Sequence, residues 1–168
     1  MLGLSRKTSL DSFCGQSMVE MALITPLVLI ALYIPADFGI AYYAAHLTQN
    51  AVREAARIGV STKDPFNSAA ATAVANEAMT RVPLRLKSVT VTVSYFGPAT
   101  ATCLQSVSVS AQGSYNYFFY QILRLLGVTA PNSAIIARTS RMRYEFQPIT
   151  NSTPECNTAS LSLTATRA

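Results

Sequence analysis

The chain has 168 residues, half of them apolar and 12% charged, with a formal net charge of +5. That is enough for one ordinary domain plus a further element, and it excludes a disordered chain, which would be poor in apolar residues. No Lys/Arg run and no aromatics interleaved with basic residues point to nucleic acid; a solvated sheet face accounts for Arg124, Arg138, Arg141 and Arg143.

Residues 1–15 are polar and end on Gly15, and residues 16–60 read as one long helix. No charge occurs between Met21 and Ala36. At about 1.5 Å per residue, Met18 to Ala36 spans roughly 28 Å, close to the thickness of bilayer hydrocarbon. Pro26 and Pro35 would break a soluble helix but are tolerated in a membrane helix. A buried core helix is the competing assignment, yet nothing else in so short a chain covers a helix apolar on every side. Arg6 and Lys7 precede the run, which places the N-terminus in the cytoplasm and sends everything after residue 45 across the membrane. Tyr33, Tyr42 and Tyr43 suit either an interfacial aromatic belt or a packed helix face. From Asp37 the helix becomes amphipathic, with Arg53, Glu54 and Arg57 on or near one face and a weak i,i+3 support between Glu54 and Arg57. Gly59 and Ser61-Thr62-Lys63-Asp64-Pro65 stop it.

Asp64 or Asn67 caps a second, alanine-rich helix over Pro65 to Val82, ended by Pro83. Three strands follow. Val89, Val91, Val93 and Tyr95 alternate with Thr90, Thr92 and Ser94 until Gly97-Pro98. Val107, Val109 and Ala111 alternate with Ser106, Ser108 and Ser110. Ile135 to Phe146 carries Met142, Tyr144 and Phe146 on one face, and Arg141, Arg143 and Glu145 on the other. One face of the sheet is therefore buried under the second helix and the other is wet. Between the second and third strands, Tyr115 to Leu126 is rich in aromatics and leucine. It either completes the core, which small domains need, or lies on the membrane surface or a neighbouring subunit. Residues 147–168 are rich in Ser, Thr and Asn and read as a loose tail.

The expected fold class is α+β: a membrane-spanning helix continuing into an amphipathic one, then a second helix on a small three-stranded antiparallel sheet. Residues 1–15 would be a leader, 16–60 the helix, 61–146 the exported domain and 147–168 the tail.

The identity-bearing stretch is Cys14-Gly15-Gln16-Ser17-Met18-Val19-Glu20-Met21-Ala22-Leu23. A glycine directly before the apolar segment, with a lone carboxylate five residues on, resembles a type IV prepilin processing site. The resemblance implies cleavage between Gly15 and Gln16 by a prepilin peptidase on the cytoplasmic side, with the apolar helix kept on the mature protein. Independently, Glu20 sits where a charge is costly and usually functional. Either it pairs with the new amino terminus of a neighbouring subunit, setting subunit stagger, or it snorkels to the headgroups.

Gln16 to Val60, with Pro26, Asp37-Phe38-Gly39 and Ala51-Val52-Arg53-Glu54-Ala55-Ala56-Arg57, looks like the TadE-like pseudopilins of the tight-adherence (Flp) pilus system. The Arg-Glu-Ala-Ala-Arg element is the most specific part. That resemblance implies a minor pilin-like subunit that takes part in pilus assembly or adhesion. Its implied partners are the prepilin peptidase, other pilin and pseudopilin subunits, the inner-membrane assembly platform and the lipid bilayer. The expected location is the bacterial inner membrane, single-pass, with the C-terminal domain periplasmic; incorporation in the pilus at the cell surface stays open. A membrane-anchored binding or adhesion module that is never processed is the alternative.

Enzymatic chemistry is not expected. His46 is the single histidine, so neither a histidine-based triad nor a His/Cys zinc site is available, and no cofactor or metal is called for. Asp37-Phe38-Gly39 lacks the loops that give that tripeptide meaning in kinases. Cys14 precedes the apolar run, the wrong side for a lipoprotein, and Asn151-Ser152-Thr153 matches a glycosylation sequon only by chance in a bacterial setting. Cleavage removes Cys14 and leaves Cys103 and Cys156 in an oxidising compartment, where an intramolecular disulfide is expected. Two free thiols or a bridge to another subunit remain the alternatives.

Overall fold

The computed structural model describes residues 11–62, 67–97, 103–125, 127, 129, 131–144 and 154–168. In chain order the elements are α1 (Asp11–Ser61), α2 (Ser68–Arg81), β1 (Lys87–Phe96), β2 (Ser106–Asn116), α3 (Phe118–Leu125), β3 (Ser133–Arg143) and β4 (Ala159–Arg167). The chain divides after Phe38 into two units.

The first unit is the apolar part of α1, which begins at Asp11 rather than at residue 16, so the end of the expected leader is helical as well. Every side chain from Gly15 to Tyr33 is exposed. A run this long and apolar, with no face covered by its own chain, fits a single-pass membrane anchor. Pro26 and Pro35 lie inside it without ending it. Beside Pro26, which has no N–H to offer, the Thr25 hydroxyl donates to the Met21 carbonyl at 2.6 Å.

The second unit, Gly39–Ala168, holds the core. The later part of α1 buries Ala41, Ala44, Ala45, Thr48, Ala51, Val52, Ala55 and Ala56, a stripe at the i, i+3, i+4 spacing of one helix face. Small side chains bring this face close to its neighbours. A Cβ on Gly59 would stand 3.1 Å from Val107 Cγ1 and 3.6 Å from Val74 Cγ2, so a larger residue would press on Val107 where α1, α2 and β2 converge. Asn67 caps α2, its Oδ1 accepting from the Ala69 N–H at 3.0 Å; Asp64 and Pro65 lie outside the described residues. α2 buries Ala71, Val74, Ala75 and Ala78 and runs back along α1. Val74 in its middle faces Gly59, while Pro83 and Arg85 beyond its end share a groove with Ile40, Tyr43 and Leu47.

The sheet is antiparallel with strand order β3-β2-β1-β4. Val89, Val91, Val93 and Tyr95 of β1 and Val107, Val109 and Ala111 of β2 are buried in the core with the helices. Each fully buried valine contributes roughly 1.5–3 kcal/mol relative to exposure. The other face is polar. Ser162, Ser94, Ser108 and Arg141 form one row across the four strands, and Thr164, Thr92, Ser110 and Thr139 the next. Neighbouring hydroxyls bond across β1 and β4, Thr92 to Thr164 at 3.3 Å and Ser94 to Ser162 at 3.1 Å.

The sheet thus has four strands where three were expected. The polar tail supplies the fourth: Leu161, Leu163 and Ala165 turn toward the core while Ser162, Thr164 and Thr166 face water. β4 pairs with β1 from Val89↔Arg167 to Phe96↔Ala159, so hydrogen bonding and a half-buried apolar row order a segment that composition alone marks as loose. The aromatic segment divides. Tyr115 and Phe119 join the buried residues, whereas Phe118 at the start of α3 is exposed. The third expected strand ends at Arg143, and Glu145 and Phe146 lie outside the described residues.

Candidate functional site

Gly15, Gln16 and Glu20 all lie within α1 and all are exposed. A Cβ on Gly15 would meet nothing within 4 Å. Nothing among the described residues packs on that position, so their packing sets no requirement for glycine there. Gln16 and Glu20 are four residues apart, so they share one helix face about 6 Å apart along the axis.

Further along α1, Arg53 and Arg57 are exposed and Glu54 is half-buried. Leu47, Asn50, Ala51, Arg53 and Glu54 line a shallow groove with Arg81 of α2. Arg81 donates through Nε to Glu77 Oε1 at 2.6 Å. That hydrogen bond, with the nearby charge of Glu77 and a smaller influence of Glu54, holds its guanidinium above its ordinary pKa. Among the described residues no ion pair joins Glu54 to Arg57, the pair expected from i,i+3 spacing; Glu54 instead faces Arg81 across the groove. His46 packs edge-on to Tyr42, ring centroids 4.4 Å apart. No group of three or more His, Cys, Asp or Glu among the described residues could hold a metal ion.

Cys103 and Cys156 form a disulfide with Cα atoms 5.1 Å apart. It lies at the end of the sheet where β1 finishes and β4 starts. Gly97, at φ +89°, packs directly on it, because a Cβ there would overlap Cys156 Sγ. Around it, the Cys156 N–H donates to the Leu104 carbonyl at 3.1 Å and the Gly97 N–H to the Thr158 carbonyl at 3.2 Å. Arg141 donates through Nε to Ser106 Oγ and through Nη2 to the Cys156 carbonyl, both at 2.8 Å, and stacks 4.5 Å over the Phe96 ring. Glu155 pairs with Arg143 and lies 3.7 Å from Arg141. Two of the arginines assigned to a solvated face thus brace the entry to β4. At the opposite end of that strand Arg167 donates to carbonyls that follow from α2, a role that a lone arginine in a polar tail does not advertise.

The family model described as TadE-like protein matches residues 15–57. Over those residues α1 is similar to that family. Comparison with curated proteins and with solved structures returns no match. The TadE-like segment starts on Gly15 and ends on Arg57, so it holds Glu20 and the Arg-Glu-Ala-Ala-Arg element and stops short of α2 and the sheet.

Proposed function

We propose that this chain is a minor pilin-like subunit of a tight-adherence (Flp) pilus system. It is cut between Gly15 and Gln16 by a prepilin peptidase, stays in the inner membrane through α1, and takes part in pilus assembly with its folded domain in the periplasm. Its role is structural rather than catalytic. The observation that carries this reading is the coincidence of the TadE-like match with a helix whose apolar side chains are exposed on every side and whose first matched residue is a glycine on which nothing among the described residues packs.

After cleavage, the α-amine of Gln16 and the carboxylate of Glu20 would lie on one face of the helix start. A carboxylate in the first turn is favoured by the helix dipole. A neighbouring subunit displaced along the axis can present its own amine to the same carboxylate, which fixes the stagger. The hydrocarbon surroundings make an unmatched register costly.

Intact mass and N-terminal sequencing of the membrane-extracted protein test the reading. The mature chain is expected to begin at Gln16, and Gly15→Val to leave the uncut precursor in the membrane. A wild-type protein still starting at Met1 or Leu2 in cells with active peptidase overturns it.

A further inference from the structure

Arg138 of β3 stands opposite Ala111 of β2, which stands opposite Val91 of β1, and both partners are buried in the core. Arg138 therefore projects from the helix side of the sheet rather than from its hydroxyl face. It stays exposed there because β3 is an edge strand. With α1 it bounds a cleft of about 300 Å³, lined from the helix by Tyr42, Ala45, His46, Gln49 and Arg53. The four polar residues among these recur at i, i+4, i+7 and i+11, a single stripe along the helix. The cleft lies wholly within the second unit, Gly39–Ala168.

Hydrogen-bond donors line this cleft, and no carboxylate does. Arg138 gives one N–H, from Nη1, to the Ala137 carbonyl at 3.1 Å. Neither Arg138 nor Arg53 belongs to an ion pair among the described residues. Arg53 also reaches the groove on the other flank of α1, where Glu54 lies with Arg81, yet no ion pair joins it to Glu54. Two guanidinium groups lining one cleft without a counter-charge repel each other, and a carboxylate between them turns that repulsion into attraction.

The strand that carries Arg138 adds a second feature. β3 runs for 11 residues without proline or glycine, and it pairs with β2 in unbroken register from Ser106↔Arg143 to Asn116↔Ser133. Among the described residues no strand pairs with its outer edge. Such an edge offers a row of main-chain donors and acceptors to an incoming strand. β3 carries three arginines and no acidic residue, so it repels a second copy of itself and favours an acidic strand.

We propose that the outer edge of β3 and the Arg53–Arg138 cleft beside it bind an extended, acidic segment of another protein chain. The main chain of that segment continues the sheet at β3. Its alternate side chains turn to the helix side, where a carboxylate meets Arg138 and Arg53. A free anion fits the cleft but makes no use of the strand edge, so the occupant is a polypeptide. The inference rests on the folded unit alone and not on the pilus reading.

The test uses the full chain in detergent and the fluorescence anisotropy of a labelled synthetic peptide that alternates Glu and Thr. This peptide is expected to bind, and its Lys-Thr counterpart to stay free. Arg138→Glu and Arg53→Glu should each weaken binding by about 10-fold or more, as loss of a charged hydrogen-bonding group implies. Arg138→Lys, which keeps the charge but loses the fork, should fall in between. Arg85→Glu makes the same charge change on the other flank of α1 and should bind like the wild type. Circular dichroism melts show that each variant is folded. N-methylation of alternate peptide residues should abolish binding in one frame and spare it in the other. The proposal is overturned by an acidic peptide that fails to bind at about 1 mM, or by one that binds no better than the Lys-Thr peptide. Undiminished binding to folded Arg53→Glu and Arg138→Glu overturns it as well. A peptide that binds equally with either frame methylated leaves the edge unused and reduces the site to one for anions alone, which also overturns it.

Discussion

Arg167 of β4 donates through Nη1 to the carbonyl oxygen of Met79 at 3.0 Å. Its Nη2 reaches the carbonyls of Val82 and Pro83 at 3.5 and 3.2 Å. One side chain from the last strand thus satisfies carbonyls that the end of α2 would leave bare, and its charge complements the negative end of the helix. Hydrogen bonds from a charged donor contribute roughly 1.5–3 kcal/mol, less here because the site is only partly buried. Arg167→Ala is therefore expected to destabilise the domain by about 1–2 kcal/mol, with Arg167→Lys intermediate. Chemical denaturation of the detergent-solubilised protein checks this, and an unchanged midpoint for the alanine variant would rule it out.

Tyr144 donates its hydroxyl to the Gly59 carbonyl at 3.1 Å, joining the end of β3 to the end of α1. Burial, and then the neighbouring Tyr95, push its pKa well above the ordinary 10.0, and burial raises Tyr95 as well. A tyrosine whose folded pKa is raised stays neutral when the unfolded chain begins to ionise. Its contribution is complete below pH 10 and is lost as pH climbs above it. Stability should accordingly fall through the alkaline range. In Tyr144→Phe the fall should be shallower, and stability at neutral pH lower by about 1 kcal/mol for the lost hydrogen bond. Denaturation midpoints across the range from neutral to strongly alkaline pH decide; a variant whose alkaline slope matches the wild type contradicts it.

The Cys103–Cys156 disulfide closes a loop of 53 residues, and the chain-entropy model puts such a closure at about 4 kcal/mol, with native proteins usually showing somewhat less. Because the bond sits where the chain enters β4, its loss should loosen that strand first. Cys156→Ser is expected to lower the denaturation midpoint and to speed amide exchange at Leu161 and Leu163 before it does so at Val91 and Val93. Free thiols at both positions in material from an oxidising compartment, or a covalent dimer through either, would contradict the pairing.

Glu20→Ala tests the assembly half of the proposal apart from processing. An apolar residue inserts more easily than a carboxylate, so membrane insertion and cleavage after Gly15 should be retained. Co-purification of partner pilins and the number of pili should drop. Full piliation in the alanine variant would show that Glu20 only reaches for the headgroups.

Much of the fold is readable in the chain because it depends on local pattern. The apolar run, the valine–threonine alternation of β1 and the asparagine cap of α2 each follow from neighbours within a few residues. Gly15 and Glu20 stand out by residue type alone, since a glycine and a carboxylate are conspicuous at the start of an apolar helix. β4 escapes such a reading although Leu161, Leu163 and Ala165 alternate with Ser162, Thr164 and Thr166 much as β2 does. The polar composition around it resembles a linker, and its partner lies some 70 residues away, as in the Thr92–Thr164 contact.

The hydroxyl rows on the outer sheet face bear on crowding. Were α1 to confine the domain to a membrane plane, its copies would meet far more often than in bulk solution. Rows such as Ser162-Ser94-Ser108 and Thr164-Thr92-Ser110 offer an encountering copy almost no hydrocarbon to exclude from water. Thr92 and Ser94 are already bonded to Thr164 and Ser162, so face-to-face contact exchanges one set of hydrogen bonds for another with little net gain. That face behaves as a lubricated side, on which chance collisions separate again and which leaves lasting association to the helix and to the edges of the sheet.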